Sequence, residues 1–154
     1  MITLLPKIIK WTEILGIVLS VLGLFFKALH LAGANEFIMI GLMTLAVTYF
    51  LSAYVFVPGQ DDKPKKGFVD LLHTILRKLM YIGLSVYWVA FLFTILHLSG
   101  ANEMMTIGFG TLAISAGASI ILVIGNRESM KFLQAPLIRV VFTFLIYFTL
   151  PFFR

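Results

Sequence analysis

Apolar and polar positions divide this chain into long blocks rather than into the short alternation of a soluble fold. Four apolar runs, at residues 11–31, 37–57, 79–98 and 104–125, are interrupted by short polar stretches. Each is near the ~20 residues that carry a helix across a bilayer core. The second and fourth contain no charged residue. A shorter fifth run, 136–153, follows Gln134 and carries Arg139 about one turn in; by snorkelling, that arginine would allow a short span. The alternative for this run is a helix lying in the interface or packed on the bundle. The pattern predicts an all-α integral membrane fold: four transmembrane helices plus a fifth, C-terminal helix.

The polar stretches repeat. HLxGANE stands at 30–36 and again at 97–103. Continued from Phe26/Phe93 to Val47/Ile114, the same offset of 67 residues gives 22 aligned pairs, of which thirteen are identical. A duplicated helical hairpin is the simplest source of such a period. Both copies would start from the same side of the membrane, so the two hairpins run parallel and do not form an inverted repeat. The chain therefore divides into a first hairpin (1–57), a linker with an amphipathic lead-in (58–78), a second hairpin (79–125), and a loop with the C-terminal helix (126–154). The linker 58–67 is rich in Pro, Gly, Asp and Lys, and 126–134 reads as a second polar loop. In 68–78, Phe68, Leu71, Leu72, Ile75 and Leu76 share one face, as expected of a helix lying in the interface.

Composition sharpens the membrane reading. Hydrophobic residues make up 60% and charged residues 12% of the chain, with a mean hydropathy of +1.03, far from globular averages. Ten of the twelve Lys and Arg residues fall on one side of a four-span arrangement, Lys27 and Arg154 being the exceptions. The positive-inside rule makes that side cytoplasmic. The N-terminus is then cytoplasmic, and the repeated turns face the periplasm of a bacterial inner membrane. The first run exceeds a typical signal-peptide core, and its terminal turn recurs internally, so it reads as a retained span. With no cysteine, thiolate chemistry is excluded.

Candidate chemistry is concentrated in the repeated turn. Gly33 and Gly100 suit left-handed positions after a helix C-terminus. Asn35 and Asn102 suit N-caps of the following helices. Glu36 and Glu103 would sit near the positive end of a helix dipole, with His30, His97 and Lys27 near a negative one. Every repeated position thus has a turn-building role. Brought together by pseudo-symmetry, His30, Glu36, His97 and Glu103 would instead form an ion- or proton-linked cluster. Elsewhere, Glu13 is the acid within the spans, with Lys10 three residues earlier to pair with it. Small residues predict close helix packing: Gly16 and Ser20 in span one, and Gly110, Ala113 and Gly117 in span four, which is expected to be central in the bundle or in an oligomer. No phosphate loop, nucleophile–base pair or HExxH motif occurs. No cofactor, resident metal or nucleic-acid partner is indicated.

The first hairpin resembles a known family. FKxxH at 26–30, a short glycine-containing turn, GLxT at 41–44 and LSAY at 51–54 are similar to the two-helix membrane part of GldL, the gliding-motility and type 9 secretion motor family of Bacteroidota. The resemblance implies an inner-membrane address. It also implies a functional, ion-coupling glutamate just after the GLxT threonine, where this chain has Leu45 and, in the second copy, Leu112. The family's long cytoplasmic region is replaced by the second hairpin. The expected function is a non-enzymatic accessory or scaffold subunit, with the bilayer and other membrane subunits or further copies as partners. The alternative is an ion- or proton-linked stator, channel or transporter element that uses the turn residues.

Overall fold

In the computed structural model, residues 4–55, 67–125 and 129–149 are described, and they form five helices. These are α1 (Leu5–Ala28), α2 (Ala34–Ser52), α3 (Phe68–Ile95), α4 (Ala101–Gly125) and α5 (Ser129–Thr149). Leu5–Ala28, Ala34–Ser52, Leu71–Ile95 and Ala101–Ile124 are long and apolar enough to cross a membrane. The all-α, two-hairpin expectation therefore holds. Residues 56–66, which take in most of the linker, and 126–128, the start of the second polar loop, lie outside the described residues.

Glycines set the crossing within each hairpin. A Cβ on Gly41 would lie 2.5 Å from the Ser20 backbone nitrogen, and one on Gly23 would lie 2.6 Å from that of Ile38. Such contacts are far below van der Waals separation, so α1 and α2 meet backbone to backbone. The second hairpin repeats the register: a Cβ on Gly83 would meet Leu112 at 3.0 Å, as one on Gly16 would meet Leu45 at 2.9 Å. Gly108, the counterpart of Gly41, likewise abuts the Tyr87 backbone at 3.0 Å. Inside lipid, where apolar side chains gain little by leaving the bilayer for one another's company, close backbone approach is a main source of helix association.

The hairpins join through their inner helices. α2 packs on α1 and α3, while α3 packs on α2, α4 and α5. The buried core lies along this seam and includes Ile38, Leu42, Met80, Leu84 and Leu112. Both turns lie at the same end of the bundle, because Lys27 Nζ, one turn before the first, donates to the Ile95 carbonyl at the start of the second (2.7 Å). The repeats are thus parallel.

The 68–78 segment, expected as an amphipathic lead-in to span three, continues without a break into α3. Leu76 and Met80 are both buried, so one apolar stripe runs across the expected joint. Residues 129–134 are helical rather than loop, and Pro136 lies inside α5. Leu133, Pro136, Val140 and Thr143 are all fully buried, and their three- and four-residue spacing holds that helix against its neighbours. A helix docked on protein tolerates the lost backbone bond at proline. Finally, the central helix is α3, not α4, which packs only on α3 and α5 among the described residues.

Candidate functional site

The repeated turns are built from backbone conformation. Leu29 caps α1, and His30 follows with φ +54°, in the left-handed region. The His30 N–H donates to the Lys27 carbonyl (3.1 Å) and the Leu31 N–H to that of Phe26 (2.9 Å). This pair of bonds is the Schellman closure of a helix end. It recurs after α3: His97 has φ +53°, His97 N donates to Thr94 O at 3.3 Å, and Leu98 N to Phe93 O at 2.9 Å. Histidine is among the few side-chain-bearing residues enriched in left-handed backbone. The residue after the helix C-terminus is therefore histidine in both copies, where glycine was expected.

Gly33 and Gly100 are also left-handed, with φ +83° and +84°, but they start the next helix. Gly33 is the N-cap of α2, with no side-chain hydrogen bond, and its carbonyl accepts from Phe37 N at 3.2 Å. In the same way, Gly100 O accepts from Met104 N at 3.1 Å. Asn35 and Asn102 consequently fall inside the first turns of α2 and α4 and are not the caps, because the glycine conformation already closes the turn. Glu36 and Glu103 occupy the same first turns, where the helix dipole favours an acid. The side chains of His30, Glu36, His97 and Glu103 are exposed. No group of three or more His, Asp or Glu able to hold a metal ion occurs among the described residues, so these four do not make up such a group.

A polar constellation does form elsewhere, between opposite ends of the chain. Glu13 on α1 and Arg139 on α5 make a bidentate pair: Nε to Oε1 at 2.7 Å and Nη2 to Oε2 at 2.9 Å. The Tyr49 hydroxyl donates to Glu13 Oε1 at 2.9 Å, and Arg139 Nη1 donates to the Tyr81 hydroxyl at 3.2 Å. The two tyrosine rings stack at 6.5 Å. Glu13 is 13% and Arg139 31% exposed. Four helices thus contribute to one network, in which the fork-to-carboxylate geometry satisfies both charges. The expected Lys10 partner is displaced by Arg139, which turns inward instead of snorkelling outward.

The pair spans an opening. α1 and α5 do not pack directly on each other, and a cavity of about 910 Å³ lies between them, floored by α2 and α3. Glu13 and Arg139 stand at one end, and Lys27, His97 and Asn102 at the other. Leu45, at the position of the family's ion-coupling acid, is fully buried, as is Leu112. Each packs against a glycine of the preceding helix, so the coupling position is a packing position in both hairpins.

The small residues divide into two groups. Gly16 and Ser20 are buried at the α1–α2 crossing. Gly110 and Gly117 have nothing within 4 Å of an added Cβ, and Ala113 and Gly117 are exposed. With Ile114, Ile121 and Ile124, each more than 70% exposed, they form an outward face of α4. Aromatic residues sort similarly: Trp11 and Tyr54 are exposed near the basic end of the bundle, whereas Tyr49, Tyr87 and Trp88 are buried.

A comparison with curated proteins and with solved structures returns no match. Residues 14–72 match the GldL N-terminal domain, from within α1 through α2 to the start of α3, so the first hairpin resembles that of the GldL family.

Proposed function

We propose that this chain is a non-enzymatic accessory or scaffold subunit of the bacterial inner membrane, GldL-like in its first hairpin and working by helix–helix association. The observation that carries this reading is the unfilled small-residue face of α4, with Gly110, Ala113 and Gly117 turned away from the bundle. Such a face lets a second helix approach closely in lipid. The match to the GldL N-terminal domain supports a place among gliding-motility or type 9 secretion membrane subunits. The N-terminus would be cytoplasmic and the repeated turns periplasmic, as the distribution of lysine and arginine favours. Partners are other membrane subunits or further copies of the chain.

Ion coupling through the turns has less support, because His30 and His97 serve as left-handed backbone positions and Leu45 and Leu112 replace the coupling acid. The test is mild-detergent purification of the wild type, Gly117→Leu and the His30→Gln/His97→Gln double variant, reading oligomer mass and co-purifying subunits. Loss of assembly in Gly117→Leu with unchanged helicity, and retention in the histidine variant, is expected. Unchanged assembly in Gly117→Leu contradicts the scaffold reading.

A further inference from the structure

We propose that the cavity between α1 and α5 is a binding site for one anionic glycerophospholipid, drawn from the leaflet that faces the repeated turns. The inference is independent of the scaffold reading. It starts from the distribution of charge along the cavity. Among the described residues, Glu13 is the one acid in its lining, and that carboxylate is engaged by Arg139 at the far end. The end near the turns carries Lys27, His97 and Asn102. Lys27 Nζ spends one hydrogen bond on the Ile95 carbonyl, and an ammonium has further protons to offer. The lining at this end offers a cation and polar groups to a phosphate and holds no acid; Glu36 and Glu103 belong to the same turns but do not line the cavity.

Between the ends the lining is mainly apolar, and the hydroxyls of Ser20, Thr94 and Thr143 are spent on carbonyls of their own helices. From Glu13 to Lys27, α1 rises about 21 Å, more than the roughly 15 Å of one leaflet's hydrocarbon. An acyl chain therefore lies along the cavity without reaching the Glu13–Arg139 pair. Val21 on α1 and Ile138 and Phe142 on α5 line it and are exposed, so a lipid can enter sideways from the bilayer.

Trp88 lines the cavity and is 6% exposed. It lies about 10 Å along α3 from Ile95, at the depth of the acyl chain.

Trp11→Phe leaves Trp88 as the single tryptophan, since the chain has two. This protein is reconstituted into phosphatidylcholine vesicles containing increasing fractions of brominated-acyl phosphatidylglycerol or brominated-acyl phosphatidylcholine. Trp88 fluorescence is expected to be quenched by both lipids. Phosphatidylglycerol should reach half-quenching at a fraction about fivefold lower, the ratio one lysine at a membrane surface supplies. Lys27→Gln should remove the preference, whereas Lys7→Gln, outside the cavity, should keep it. Failure of either lipid to quench Trp88, as in a groove sealed or shaped for a protein helix, overturns the proposal. So do equal half-points for the two lipids in the Lys27 protein, a comparison that needs no variant at position 27 to fold.

Discussion

His30 and His97 show how a repeated titratable residue can be retained for backbone shape. Each sits at positive φ in a Schellman closure with its side chain exposed. Replacing either by glycine should leave stability within about 1 kcal/mol of wild type, whereas His30→Ile should cost about 1–3 kcal/mol for a branched residue in left-handed backbone. Unfolding in mixed detergent micelles distinguishes the two, and equal tolerance of Gly and Ile would remove the conformational explanation. The sequence displays the repeat and its turn residues openly. It hides which residue closes the preceding helix, because histidine and glycine are separated by only two residues in HLxG and both adopt left-handed backbone. Glu13 and Arg139 are each conspicuous as charges in apolar runs. Their pairing carries no local signal, since 125 residues lie between them and Lys10 offers a nearer partner. Leu45→Glu, which would restore the family's acid, places a carboxylate in a fully buried position against Gly16. It should lower folded yield sharply unless the acid stays protonated, as size-exclusion profiles would report.

The helices themselves were largely legible because apolar length and small-residue spacing are read directly by the membrane. Gly16 and Gly83 repeat with the turn, and their contacts with Leu45 and Leu112 show one crossing used twice. Gly41→Leu should destabilise by about 3 kcal/mol or more, because its Cβ would meet the Ser20 backbone rather than a movable side chain. Gly117→Leu should leave the fold intact, since nothing lies within 4 Å of its Cβ. Thermal stability measured on both proteins side by side checks the contrast; equal losses would mean that α4 is packed differently. Helix ends were less legible. The polar residues at 126–134 predict a loop before a run starting at Pro136, but burial of Leu133 and Pro136 carries α5 back to Ser129. Tertiary packing outweighed local composition there.

Taken whole, the molecule is two copies of one hairpin made unequal by the C-terminal helix. α5 packs on α3 and α4 of the second hairpin and sends Arg139 across the cavity to the first. The first hairpin's outer helix, α1, packs on α2 alone among the described residues, so the Glu13 contact is its tie to the far side. At the other end, Lys27 ties the same helix to the second turn. The two polar bridges hold α1 at both ends of an apolar gap, an arrangement neither repeat contains by itself. Composition and periodicity reveal the copies; the bridges depend on three-dimensional placement and were not readable from either copy.

The claim that the chain is closed into one body by Glu13 and Arg139 is tested most directly by a double-mutant cycle. Glu13→Gln and Arg139→Met are each expected to lower unfolding free energy in mixed micelles by about 2–4 kcal/mol, because each strands a charge or its donors in a largely buried site. The double variant should lose less than the sum, with a coupling energy of about 1–3 kcal/mol. Additive losses with no coupling would contradict the account, for they would mean that the two charges act independently and that Glu13 does not tie α1 to α5.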